Sequence, residues 1–140
     1  MKATAMMLPD LLWEELAPYW EGLRRHEVRL PRCSRCGKFF WYPQHICSVC
    51  WTWSLKWVVI RPCGTLFSWT VIHHAFHPLF ASALPIHLGM VEPIDAPEVR
   101  LIGELINPAA ADIGRGVKFE FDDRTPGMTW LKFSIANEER

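Results

Sequence analysis

What this chain of 140 residues lacks first is net charge: fifteen Asp and Glu balance fifteen Lys and Arg. That balance denies it the overall positive charge on which binding to phosphate backbones rests. It has no phosphate-cradling glycine loop and no dinucleotide fingerprint, which sets aside the common nucleotide-binding folds. No serine or cysteine nucleophile with a paired base is readable, so a free-standing enzyme has no constellation to rest on. A leader sequence is not visible either. Met1 to Met7 is short and mixed, and Asp10, Glu14 and Glu15 interrupt the apolar stretch from Leu8 to Leu16. From Pro62 to Val91 there is no Asp, Glu, Lys or Arg. Such a run is as uncharged as a membrane span, but Pro62, Gly64, Pro78, Pro85 and Gly89 break any helix through lipid. A reduced, cytoplasmic setting is expected, with no membrane partner.

Cysteine is sparse but ordered. Four of the five form two Cys-x-x-Cys pairs, Cys33 with Cys36 and Cys47 with Cys50. Zinc favours four soft ligands in a tetrahedron, and each pair offers two thiolates from one tight loop. Gly37 allows the sharp turn after the first pair. Lys38 to Tyr42 reads as a short strand leaving it, and Pro43 and Gln44 start the return. This is the pattern of a zinc ribbon. Iron held in the manner of rubredoxin stays open, because the same thiolates suit it. A disulfide framework is the other alternative, and nothing in the sequence indicates an oxidising compartment. Four cysteines saturate the ion and leave no position for water or substrate, so the metal is expected to be structural. It would staple a segment too small to bury a core of its own. His45 reads as a solvated or supporting residue rather than a fifth ligand. Cys63, left without a partner, reads as a buried structural thiol.

The remaining pattern divides into three parts, 1–26, 27–60 and 61–140. In the first, Leu11, Leu12, Glu15, Leu16, Tyr19, Trp20 and Leu23 recur at helical spacing over Pro9–Arg25. Asp10 can cap the first turn, and Pro18 or Gly22 can split the run. In the second, Glu27–Pro31 leads into the knuckles and Trp51–Ile60 closes the ribbon as a strand. Arg61-Pro62-Cys63-Gly64 reads as a turn. In the third, strands are expected at Thr65–His74, Ile86–Glu92, Val99–Leu105, Val117–Asp122 and Met128–Ile135, with a loop at Ala75–Pro85. A short helical turn suits Asn107–Asp112, and Asn137–Arg140 reads as a polar tail. Five strands with one helical turn between the third and fourth is the element order of an OB-fold barrel. The fold class is therefore mainly β: a helical segment, a rubredoxin-like ribbon and a five-stranded barrel.

One ordered series of residues runs through these parts. It comprises Pro18-Tyr19-Trp20-Glu21-Gly22-Leu23, then Leu30-Pro31-Arg32-Cys33 with both knuckles, then Gly64-Thr65-Leu66-Phe67-Ser68-Trp69-Thr70-Val71. Pro85-Ile86-His87-Leu88-Gly89-Met90-Val91-Glu92 and Ile113-Gly114-Arg115-Gly116-Val117 follow. Over nearly its whole length the chain resembles the acyl-CoA-associated rubredoxin-like zinc-ribbon/OB-fold family, long catalogued as a domain of unknown function. The resemblance implies a small accessory subunit, not catalytic alone, that partners a thiolase-like enzyme. That partner would be a thiolase, a condensing enzyme, or a retro-aldolase that shortens acyl-CoA side chains, including those of steroids. It further implies a CoA ester as ligand of the complex, and a hetero-oligomer, two copies of this chain on a thiolase-like dimer making a heterotetramer. All four family cysteine positions are Cys here, which carries metal binding over to Cys33, Cys36, Cys47 and Cys50.

Outside the knuckles, His73-His74-Ala75-Phe76-His77-Pro78-Leu79-Phe80 is the most chemically loaded stretch. It joins the first two barrel strands, where OB folds often bind ligand. His73, His74, Phe76, His77 and Phe80 are therefore candidates for contact with ligand or partner. General-base chemistry or a second metal at the three histidines are further possibilities. Arg61, with Arg32, Arg35 and Lys38, could meet the phosphates of CoA, because guanidinium pairs bidentately with phosphate oxygens. The alternative to the accessory subunit is a single-stranded nucleic-acid-binding module. Its aromatic platforms are present, but a neutral chain lacks the basic groove.

Overall fold

The computed structural model describes residues 8–106 and 113–136. One helix, α1 (Ala17–Arg24), precedes a two-stranded antiparallel sheet of β1 (Val28–Cys33) and β2 (Leu55–Ile60). Five further strands follow: β3 (Cys63–Ile72), β4 (Ile86–Pro93), β5 (Leu101–Leu105), β6 (Gly116–Asp122) and β7 (Trp130–Ile135). They close into a barrel in the order β3-β4-β5-β7-β6, with β6 returning to β3 and only β5 and β7 parallel. Renumbered from the first barrel strand this is 1-2-3-5-4-1, the OB-fold topology.

Several expected boundaries shift. The helix is limited to Ala17–Arg24, and residues 11–16 form turns instead. The Asp10 carboxylate accepts from the Leu12 amide at 3.0 Å and so turns the chain locally rather than capping a helix. Pro18 falls in the first helical turn, where its missing N–H costs nothing, and the helix runs on through Gly22. The strand expected from Trp51 starts only at Leu55, since Trp51–Ser54 belong to the second knuckle. The strand expected at Lys38–Tyr42 reduces to one bridge, Phe39 to Arg32. Cys63 and Gly64 open β3 rather than completing a turn, and the Ala75–Pro85 loop contains a 3-10 helix at Pro78–Ala83. The turn expected at Asn107–Asp112 lies outside the described residues.

The core follows the strand alternation. Val117 and Phe119 on β6 and Leu131, Phe133 and Ile135 on β7 point inward with Leu66, Val91, Leu101 and Leu105. The same core continues through Ile60, Val28 and Leu30 of the ribbon sheet to Leu23 and Tyr19 of α1. Gly64 pairs with Pro93 on one side and Val117 on the other, so it sits where the barrel closes. A Cβ there would collide with the Glu92 carbonyl oxygen.

Helix α1 packs against β1 of the ribbon sheet, and its Trp20 meets Trp130 of the barrel edge-on at 6.2 Å. Its end is a Schellman-type turn, with Glu27 N donating to Gly22 O at 2.8 Å and His26 N to Leu23 O at 2.9 Å. His26 takes the left-handed position (φ 58°) that glycine usually fills. Its ring stacks on Phe121 at 5.0 Å, and its Nε2 lies 2.6 Å from Asp123 Oδ2, which holds the helix end against β6.

Beside this clamp, Asp122 accepts from Arg124 and from the largely buried Lys132, each at 2.7 Å. The Arg124 contact first, and the Lys132 contact next, hold the Asp122 carboxyl well below the usual carboxylate range. A depressed carboxylate stabilises the fold fully above the ordinary carboxylate pKa and loses that contribution as pH falls. Asp122→Asn is therefore expected to cost about 1–3 kcal/mol at neutral pH. Thermal melts across pH will show the gap between variant and parent closing on acidification; a gap constant with pH would contradict it.

Candidate metal centre and exposed surfaces

Strand β1 ends on Cys33 and the chain turns back at once. Gly37 N donates to Cys33 O at 2.9 Å, with Gly37 at φ 79°. The second knuckle repeats the turn without glycine: Trp51 N donates to Cys47 O at 2.9 Å, and Trp51 itself adopts φ 60°. Amides point at the sulfurs in both loops, Cys36 N at Cys33 Sγ (3.5 Å) and Val49 N at Cys47 Sγ (3.4 Å). Thr52 Oγ1 lies 3.4 Å from the Sγ atoms of both Cys33 and Cys50. Sequence reasoning missed this hydroxyl, as nothing in the spacing marks it.

The four Sγ atoms lie within 4.8 Å of one another, and they approach to 3.5 Å (Cys33–Cys50) and 3.6 Å (Cys36–Cys47). Metal–sulfur bonds of 2.3 Å in a tetrahedron separate sulfurs by about 3.8 Å, so the set fits a zinc-sized ion with little adjustment. All are free thiols. The Cys36 amide, then the Thr52 hydroxyl, draws the Cys33 thiol down to about 5. Cys36 is pushed up to about 11: the Lys38 amide pulls downward, but loss of solvent and the neighbouring thiols outweigh it. Cys47 is lowered, burial being overcome by the Cys50 and Val49 amides. Four thiolates this close repel one another, and a cation at their centre is what favours all four together. His45 stands apart, its Nε2 3.0 Å from Glu15 Oε1 and its ring largely exposed.

The other candidates fall in two places. Arg61 sits at the junction of β2 and β3, where Nη2 reaches Asp95 Oδ1 at 2.7 Å and its amide reaches Oδ2 at 2.8 Å. This contact raises Arg61 and lowers Asp95. With Phe39 N donating to Glu98 Oε1 at 3.0 Å, it ties the ribbon to the β4–β5 connection. His73, His74, Phe76, His77 and Phe80 lie on the connection from β3 to β4, and all five are exposed. His74 meets Phe76 edge-on at 4.7 Å, and His77 Nδ1 accepts from Leu79 N at 3.2 Å to start the 3-10 helix. The three histidines are not brought to ligating distance; the cysteine quartet is the only such group among the described residues. On the neighbouring barrel wall, Ser68, Trp69, Thr70, Leu88, Gly89, Met90 and Ile102 line a mostly apolar cleft of about 150 Å³. No helix among the described residues is long and apolar enough to cross a membrane.

The aromatic residues do not all serve the core. Phe76 is 92% exposed, Trp51 78%, Trp53 73% and Tyr42 66%.

The ChsH2 rubredoxin-like zinc ribbon domain family matches residues 20–54, and the ChsH2 C-terminal OB-fold domain family matches residues 57–122. A curated relative from Thermomonospora curvata, described as a probable enoyl-CoA hydratase alpha subunit, is 26% identical over 122 residues. The match takes in 84% of this chain and 36% of the relative, so the chain spans about a third of that protein's length. A solved structure described as an Ltp2-ChsH2(DUF35) aldolase superposes with a TM-score of 0.79 at 24% identity, covering 92% of this chain and 100% of that one. A Sulfolobus solfataricus protein of unknown function from the DUF35 family gives 0.62 at 16% identity, covering 89% and 87%. Both structural likenesses are likenesses of fold.

Proposed function

From the premise that the chain belongs to the ChsH2 family of zinc-ribbon/OB-fold proteins, we propose that it is an accessory subunit of an acyl-CoA-processing complex. It docks a thiolase-like partner and helps form that partner's acyl-CoA site, while the chemistry resides mainly on the partner. The observation that carries this reading is the set of exposed aromatics, Tyr42, Trp51 and Trp53 on the ribbon and Phe76 beyond β3. Burying such groups against a second protein removes a large apolar area from water. The metal supports the reading from the other side. When bound, zinc would supply structural cross-linking through Cys33, Cys36, Cys47 and Cys50, with no coordination position left for substrate. The exposed β3–β4 connection with His73, His74, Phe76, His77 and Phe80 is then the part of this chain that reaches toward partner or ligand. We place the complex in the cytoplasm and divide the chain at about residues 26 and 60.

Affinity purification of the chain from its native host, with bound proteins identified by mass spectrometry, tests the proposal. A thiolase-like protein should be recovered in stoichiometric amount. Trp51→Ser with Phe76→Ser should lower that recovery at least about tenfold with unchanged thermal stability, as removal of interface anchors does. Recovery of nucleic-acid machinery, or acyl-CoA turnover by the isolated chain, would sink it.

A further inference from the structure

The four sulfurs of the quartet are not held alike. Cys33 and Cys47 are buried, and each accepts from an amide of its own knuckle, Cys36 N at 3.5 Å and Val49 N at 3.4 Å. Cys50 is half-buried, and among the described residues no amide reaches its sulfur. Apart from the Cys33 sulfur, its hydrogen-bond partner is the Thr52 hydroxyl at 3.4 Å. The same hydroxyl lies 3.4 Å from Cys33 Sγ, so one side chain reaches one sulfur of each knuckle. Its place is fixed from both sides. The Thr52 carbonyl accepts from Cys47 N at 2.9 Å. Two residues on, the Ser54 carbonyl accepts from both N and Oγ of Ser34 in the first knuckle, at 2.8 and 2.7 Å. A branched Cβ leaves threonine few χ1 positions, which keeps the hydroxyl on the sulfurs.

We propose that Thr52 is a positioning residue for the metal. Its hydroxyl donates to the Cys50 and Cys33 thiolates, holds the last ligand of the second knuckle against the first, and slows loss of the ion. A hydroxyl carries one proton, so it serves one sulfur at a time while staying within reach of both. A hydrogen bond to an ionised acceptor is about twice as strong as one between neutral groups, and Cys50 has no amide to replace it. Groups that orient metal ligands in this way typically contribute about 10–100-fold to metal affinity. Valine keeps the branched outline of threonine and removes the hydrogen bond, so it separates this role from simple filling of space.

Competition of the full, zinc-loaded chain against increasing EDTA tests the proposal. Thr52→Val should bind zinc at least about tenfold more weakly, and Thr52→Ser, which restores the hydroxyl, should stay within about threefold of the parent. In the cobalt-loaded chain the thiolate-to-cobalt charge-transfer band should move to longer wavelength in Thr52→Val and keep its place in Thr52→Ser, because a sulfur without the hydrogen bond gives up electron density more readily. Circular dichroism of each zinc-saturated variant reports folding. Should the valine variant not fold, Thr52→Ala compared with Thr52→Ser carries the test, and equal zinc retention by those two would overturn the proposal. Parent-like retention in Thr52→Val, a serine variant as weak as the valine one, or an unmoved cobalt band would also overturn it. None of these measurements involves a partner or an acyl-CoA, so their outcome is independent of the accessory-subunit reading.

Discussion

Replacing Cys47 by serine is expected to cost the protein its metal and, with the metal, the ordered ribbon. Cys47 is fully buried, and its sulfur lies 3.6 Å from that of Cys36. Serine offers a hydroxyl that ionises far less readily than a thiol and suits zinc poorly. Apparent binding energies for structural zinc are on the order of 10–16 kcal/mol, and they are folding energy where the site does not pre-exist in the unfolded chain. The knuckle pair forms only a small cluster of its own, Cys33, Phe40 and Cys47 with Cys50 and Leu55 packed against it. That cannot offset the loss. Elemental analysis should find about one zinc per chain in the parent and almost none in the variant. The melting temperature should fall by roughly 10 °C or more. Chelation of the parent should reproduce the variant's tryptophan fluorescence. Full metal retention in Cys47→Ser would remove Cys47 from the ligand set, and iron in the parent would replace zinc with a rubredoxin-like centre.

Phe133→Ala should be the most damaging single change in the barrel. Phe133 is wholly buried on β7, and its ring meets Phe119 edge-on at 5.0 Å. Its strand bridges the barrel's parallel and antiparallel pairings, through Leu105 on β5 and Phe119 on β6. Truncation removes the transfer energy of the ring and leaves a cavity that two rigid neighbouring strands cannot fill. The expected loss is about 3–5 kcal/mol, against less than about 0.5 kcal/mol for an exposed site such as Ile113→Ser. Urea denaturation followed by circular dichroism will measure both. A loss below about 1 kcal/mol for Phe133→Ala would mean that the barrel interior collapses far more easily than its packing implies.

The order of elements was legible because each strand carries its own local signature. Gly116–Asp122 alternates, and Trp130–Ile135 buries every second residue. The parallel contact of β5 with β7 was not legible, since it joins residues far apart in sequence by backbone groups that every residue possesses. Cysteine spacing announced the quartet, because few other arrangements need two such pairs. It said nothing of Thr52, which contacts two sulfurs by virtue of the turn before it. Trp51 shows the limit from another direction. A left-handed residue after the first knuckle is advertised by glycine, whereas the second knuckle imposes the same conformation on a tryptophan. The acid-free run from Val28 to Val91 stands in the sequence, but the balance of fifteen against fifteen hides it from any total. The helical periodicity of Leu11–Leu16 was real and still yielded turns, since a local repeat does not by itself provide a surface to bury it against.

Val28, Leu30 and Ile60 belong to the same buried cluster as Leu66, Val91 and Phe133. The ribbon and the barrel match two separate domain families without being separable units of matter. Cutting the chain near residue 60 would turn one interior into two greasy faces, and would also sever the Arg61–Asp95 and Phe39–Glu98 ties. Loops on either unit can change without touching this interior, but replacing a whole unit would mean repacking the seam. The seam, rather than the metal or the barrel alone, is what makes these two small folds one inheritable object.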